Sequence, residues 1–88
     1  MSYKLEFVPS AVKELSRIDK VIQRVIKAKL ELLANDPACL KNNIKSLSGI
    51  YKGLFRLRVL DYRVIFQVTN KTVVILILRI GHRGDIYD

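Results

Sequence analysis

The residues of this chain best suited to chemistry gather near its C-terminal end. Gly81-His82-Arg83 and Tyr87 fall within the last eight residues, and three arginines, Arg56, Arg58 and Arg63, stand in the strand-like segments upstream. His82 is the only histidine, and histidine is the side chain whose ordinary titration lies near neutral pH. Arginine presents a rigid fork of donors that matches a phosphate or carboxylate bidentately. A proton carrier beside clustered guanidinium groups is the equipment for proton transfer on an anionic substrate.

Such a group needs a platform, and the segment before it supplies one. Residues 72–78, TVVILIL, form the most apolar stretch of the chain. Residues 72–80 read as a strand apolar on both faces. Before it, Phe55, Leu57 and Val59 alternate with Arg56 and Arg58. Tyr62, Val64, Phe66 and Val68 then alternate with Arg63, Ile65 and Gln67. Leu60-Asp61 and Asn70-Lys71 read as two-residue turns, which makes residues 55–80 an antiparallel meander.

Upstream, residues 3–8 alternate Tyr3, Leu5 and Phe7 against Lys4, Glu6 and Val8, as a half-buried strand does. Pro9 ends that strand, and Ser10 is a candidate helix cap. Val12, Leu15 and Ile18 then recur at helical spacing. Asp19 is a candidate cap for a second helix with Ile22, Ile26, Leu30 and Leu33 on its apolar face, stopped by Asn35-Asp36-Pro37. Residues 41–49 read as a polar loop. The expected fold class is α+β in the order β-α-α-β-β-β, a helix hairpin packed on one face of the sheet. With 88 residues, the chain has the size of one domain, residues 1–88.

Composition narrows the functions. No run approaches the roughly 20 apolar residues of a membrane span, and residues 1–10 lack the apolar region of a secretion signal. A cytoplasmic location with no membrane partner is expected. The one cysteine, Cys39, offers neither a disulfide framework nor metal-site spacing, and reads as a buried or partly buried small side chain. Sixteen Lys and Arg against eight Asp and Glu give a net charge of +8, which favours a polyanionic partner such as nucleic acid. Before residue 51 the cations are mostly lysine. After it they are mostly arginine, so a phosphate site belongs to the C-terminal half.

Register turns this pattern into a surface. With Leu60-Asp61 as the turn, Arg58 faces Arg63 directly, and Arg56 lies on the same face. Like charges opposite each other in a sheet are destabilising. Only three acids, Asp61, Asp85 and Asp88, follow residue 50, so this half-face is expected to bind an anion. The other half, Ile65, Val74, Leu76 and Leu78, is expected to form an exposed apolar patch that a protein partner covers. His82 and Arg83 are expected to arrive beside Arg58 and Arg63.

The combined pattern resembles a known family. LRVLDYRVIFQV (residues 57–68), VVILILRIGHRGDIY (residues 73–87) and AVKEL (residues 11–15) are together similar to the RelE-type toxins of the RelE/ParE toxin–antitoxin superfamily. The resemblance implies a type II toxin that is a metal-independent endoribonuclease, an mRNA interferase with no cofactor. It would cut mRNA in the ribosomal A site by attack of the RNA 2′-hydroxyl on the adjacent phosphate. It also implies a cognate antitoxin as partner and, through that complex, operator DNA. Arg63 and Arg83 match phosphate-stabilising arginines, and Tyr87 matches a tyrosine of acid–base or stacking role. Arg56 stands where some members carry a catalytic lysine. Lys52 matches another basic position, and Arg58 joins it as an RNA contact. An arginine is a poor proton carrier, which leaves His82 as the candidate. The alternative within the superfamily is a ParE-like inhibitor of DNA gyrase with no nuclease activity.

Overall fold

The computed structural model describes residues 2–86. Their order is β1 (Lys4–Phe7), α1 (Pro9–Ser16), α2 (Lys20–Asn35), a 3-10 turn (Pro37–Asn43), β2 (Ile44–Ser46), a second 3-10 turn (Gly49–Tyr51), β3 (Phe55–Val59), β4 (Tyr62–Thr69) and β5 (Val74–His82). The expected α+β class holds, with one strand more than the sequence pattern suggested. The strands form a single mixed sheet in the order β1-β5-β4-β3-β2. β1 runs parallel to β5, with Leu5 opposite Ile75 and Phe7 opposite Ile77; the other pairs are antiparallel. The first strand therefore closes the flank of the last, which explains why β5 is apolar from Val74 to Leu78.

Each helix forms where its local chemistry allows. α1 starts with Pro9 in its first turn and Val8 as a cap that offers no side-chain bond. Proline is suited to that position, because its fixed φ is helical and its missing N–H would lack a partner anyway. Ser10 therefore lies inside the helix rather than capping it. The buried stripe is Ala11 and Leu15 with Ile18 half-buried beyond the helix end, while Val12 is exposed. In α2 the Asp19 carboxylate accepts from the Val21 N–H at 3.1 Å, the expected cap. Ile26, Leu30 and Leu33 are fully buried and Ile22 partly so, as the spacing predicts.

The core lies between the helices and one face of the sheet. Leu57, Val59, Val64, Phe66, Ile75, Ile77 and Ile80 meet Ala11, Leu15, Ile26, Leu30 and Leu33 there. Phe55 stacks on Phe66 directly across the ladder, with ring centroids 5.5 Å apart.

Three expectations need correction. Residues 41–49 are not a plain loop: Ile44–Ser46 pair with Phe55–Leu57 as an edge strand. The apolar Ile44, set among polar neighbours, supplies the core contact that holds it. Cys39 is exposed, its thiol directed at the Asp36 carbonyl. The turn after β4 spans residues 70–73 rather than two residues, with Val73 at φ 56°. The chain thus spends more residues reversing, and β5 begins at Val74.

Ile77 has no exposed surface and touches both layers. Ile77→Ala is expected to lower the unfolding free energy by about 2–5 kcal/mol, the usual cost of such a deletion, as read from urea denaturation midpoints at unchanged slope.

Candidate active site

The arginine face forms as the register predicts. Arg58 stands opposite Arg63, and Arg56 opposite Ile65. Across the sheet the rows read Lys45–Arg56–Ile65–Arg79 and Arg58–Arg63–Gly81. The three central arginines differ in environment. Arg58 is exposed, Arg56 is half-buried with its Nε shielded from solvent, and Arg63 is only 6% exposed. Arg63 Nη1 donates to the carbonyls of Leu60 and Tyr62 at 3.3 and 3.1 Å. The β3–β4 turn, in which Leu60 adopts φ 55°, thus holds the guanidinium against its own backbone. A buried charge needs such fixed dipoles.

Among the described residues, neither Asp61 nor Asp85 pairs with Arg58 or Arg83. Ion pairs among the described residues include Lys4–Glu6 at 3.8 Å and Arg79–Glu14 at 3.2 Å. Arg58 and Arg83, both exposed, therefore present positive potential to which an anion is attracted.

β5 contains an irregularity that decides which groups reach this face. Tyr62 pairs with His82, Arg63 with Gly81, Val64 with Ile80 and Ile65 with Arg79, yet Phe66 pairs with Ile77. Leu78 is the extra residue, a β-bulge. Inserting one residue exchanges the two faces for everything beyond it. Ile80 enters the core at 1% exposure, and Gly81 comes to lie beside Arg63. His82 is carried to the opposite face, where its ring meets Tyr62 edge-on at 5.5 Å and 85°. The expected placement of His82 beside Arg58 and Arg63 is therefore wrong, and the bulge is the reason. The His82 carbonyl accepts from the Asp85 and Ile86 N–H groups, and its Nδ1 accepts from Gly84 N–H at 3.4 Å. His82 organises the turn that follows it.

That turn returns the chain to the arginine face. The Arg83 N–H donates to Asp61 O at 2.8 Å, which fastens the segment to the β3–β4 turn next to Arg63. Arg83 itself is exposed. Ile86 folds back and is 5% exposed in a second small core with Leu47 and Ile65, against Tyr51, Leu54 and Leu78. A Cβ on Gly81 would stand 2.9 Å from Ile86 Cγ1 and 3.0 Å from its Cδ1. Only glycine leaves room there for the returning tail. The expected role of Tyr87 falls on a residue outside the described ones.

The fold just described agrees with comparisons to known proteins. The family model for the ParE toxin of the type II toxin–antitoxin system parDE matches residues 5–87. Toxin RelE3 of Methanocaldococcus jannaschii is 33% identical over 97% of this chain and 96% of that protein. The chain belongs to the RelE/ParE superfamily of type II toxins, as a RelE-type member. The mRNA interferase toxin RelE of Escherichia coli is 29% identical over 94% of this chain and 85% of that protein. The RelE of the archaeal RelE–RelB complex from Pyrococcus horikoshii superposes with a TM-score of 0.79 at 31% identity, covering 98% of this chain and all of that one.

The remaining site residues of this RelE-type toxin are spread unevenly. Lys52 is exposed on the connection between the second 3-10 turn and β3. Of the predicted apolar patch, Ile65 is buried at 5% exposure by the chain's own Leu47 and Ile86, so it offers a partner no surface in this state. Val74, Leu76 and Leu78 are half-buried, with Lys4 and Glu6 beside the first two across the parallel ladder. The patch is smaller than expected because residues 47–54 cross over it. Leu47, Tyr51 and Leu54, apolar residues within a polar stretch, were the available signal. Gly81 also announced itself, since a glycine inside a strand marks a close backbone approach.

Gly81→Val should therefore unseat the tail. The expected result is about 1–3 kcal/mol of destabilisation from overpacking, with faster amide exchange at Asp85 and Ile86 than in the rest of the sheet.

Proposed function

We propose that this protein is the toxin of a type II toxin–antitoxin pair and acts as a ribosome-dependent endoribonuclease on mRNA in the A site. The observation that carries the reading is the arginine group gathered at one end of the sheet: Arg63 held by the β3–β4 turn, Arg58 across from it, and Arg83 tied to Asp61. The printed name of the Escherichia coli relative, an mRNA interferase, supports the reaction class. The Pyrococcus horikoshii complex with RelB supports a cognate antitoxin, through which the pair would reach operator DNA.

In the proposed reaction the RNA 2′-hydroxyl loses its proton and attacks the adjacent phosphorus. The P–O5′ bond breaks, a 2′,3′-cyclic phosphate forms, and the leaving 5′-oxygen takes up a proton. No metal or organic cofactor takes part. Negative charge peaks on the non-bridging oxygens in the transition state, and fixed cations aimed there are the largest source of acceleration. Arg63 suits that role because its turn already orders it, so little reorganisation accompanies reaction. Arg83 and Arg56 add charge from either side. Tyr87 is assigned the proton transfer. His82, turned toward Tyr62, is assigned the turn that leads to Tyr87, and shares in proton transfer only from the strand end. Arg58 and Lys52 hold flanking phosphates, which fix register rather than sequence. The antitoxin docks over Val74, Leu76 and Leu78. Such a toxin works in the cytoplasm, and no helix among the described residues is long and apolar enough to cross a membrane.

The ParE description of the matching family model favours one second reading, a gyrase inhibitor without nuclease activity. Arg83→Ala and Tyr87→Phe separate the two. Brief expression of the wild-type chain is expected to produce new mRNA 5′ ends within translated codons. Either substitution is expected to reduce them by a factor on the order of 10²–10³, as loss of one transition-state donor does, with antitoxin binding retained. Intact ribosome-bound mRNA together with arrested gyrase supercoiling would establish the second reading instead.

A further inference from the structure

One carboxylate outside the arginine face controls the strand that delivers it. β1 accompanies β5 only as far as Ile77; the last bond on that flank runs from Val8 N–H to Ile77 O at 3.0 Å. β5 continues to His82 with β4 on its other side. Beyond Ile77 its β1-side flank has lost its strand, just where the bulge has disturbed the pairing with β4. Glu14, on α1, fills the gap. Its Oε1 accepts from the Ile80 backbone N–H at 2.9 Å, and its Oε2 accepts from Arg79 Nη2 at 3.2 Å. Ile80 is 1% exposed, so without Glu14 its N–H would lack both strand and solvent, a costly state. α1 is itself held on β5 by Ala11 and Leu15, both buried in the main core. The carboxylate is thus fixed to the scaffold and grips β5 one residue before Gly81.

We infer that Glu14 is a positioning residue of the toxin: it replaces the missing strand at the end of β5 and sets Gly81, Arg83 and the returning tail against Arg63. This rests on the nuclease reading above. Glu14 touches neither substrate nor the reacting atoms. The hydrogen bond to Ile80 carries the effect, and the Arg79 ion pair, half exposed, is secondary.

Glu14→Ala and Glu14→Gln test this on translating ribosomes, because glutamine keeps an acceptor oxygen for Ile80 and loses the charge that pairs with Arg79. Glu14→Ala is expected to slow cleavage at saturating toxin by about 10- to 100-fold, the effect of a misplacement near 1 Å, with little change in the half-saturating concentration. Glu14→Gln is expected to stay near the wild-type rate. Amide exchange at Ile80 should accelerate in Glu14→Ala by about tenfold or more and hold steady in Glu14→Gln. Unchanged exchange at Ile80 in Glu14→Ala, or an equal loss of cleavage in both variants, overturns the inference. A wild-type chain that leaves mRNA intact removes the nuclease reading, and the exchange comparison then decides the clamp alone.

Discussion

The bulge at Leu78 is the constraint on which the rest of the molecule depends. A strand alternates its side chains without exception, so a regular β5 would carry Ile80 out to the arginine face and His82 with it. One extra residue exchanges these assignments. It buries Ile80, sets the side-chain-free Gly81 next to Arg63, and turns His82 toward Tyr62. A bulge also increases local twist and loosens pairing. The strand is therefore weakest where it must be most accurately placed, and both flanks answer this. The Arg83 N–H is bound to Asp61 on one side, and the Ile80 N–H to Glu14 on the other.

The arginine face shows how the protein sustains like charges at close quarters. Arg58 and Arg63 are direct cross-strand partners, an arrangement that costs stability in a sheet. Placing one of them in solvent and the other against backbone carbonyls separates their environments. Arg58 is screened by water and salt, whereas the carbonyl dipoles of Leu60 and Tyr62 compensate Arg63. An isolated buried guanidinium would be intolerable; this one is held by the turn it helps to shape. The face thus presents one solvent-exposed cation and one fixed cation side by side.

Much of this was legible in the sequence, and the reasons follow the range of each interaction. α2, its Asp19 cap, the β3–β4 turn and the Arg58–Arg63 pairing are set by neighbours within a few residues, and each read correctly. β2 was missed because three residues with one apolar side chain, Ile44, carry no periodicity; tertiary contact with Leu57 makes the strand. The bulge was missed because residues 74–80 are apolar at nearly every position, so alternation was invisible and either register looked acceptable. That same uniformity misplaced His82, whereas Ile65 was left in an exposed patch because its cover, Leu47 and Ile86, comes from segments outside the strands. Glu14 could not be read at all. Within α1 it is one charged residue among several, and only the end of β1 at Phe7 gives its carboxylate something to do.

The tail beyond β5 sits near thermodynamic balance, and this bears on how the site works. Ordering the backbone of residues 83–86 costs about 1–2 kcal/mol for each residue. Burying Ile86 returns about 1.5–3 kcal/mol. The bonds from Arg83, Asp85 and Ile86 N–H groups to Asp61 and His82 carbonyls add about 0.5–1.5 kcal/mol each. The two sides are of equal size, so neither the ordered nor the released tail is strongly favoured by these terms alone. Small further contributions then decide the matter: the absence of a Cβ at Gly81, the cover from Leu47 and Tyr51, and the grip of Glu14 on the strand. A ligand that bridges Arg83 and Arg63 needs to supply only a modest increment to hold the tail in place. A partner that fills the space of Ile86 over Ile65 needs equally little to displace it. The same marginal anchorage makes residues 83–86 responsive to small changes on either of the two surfaces they touch.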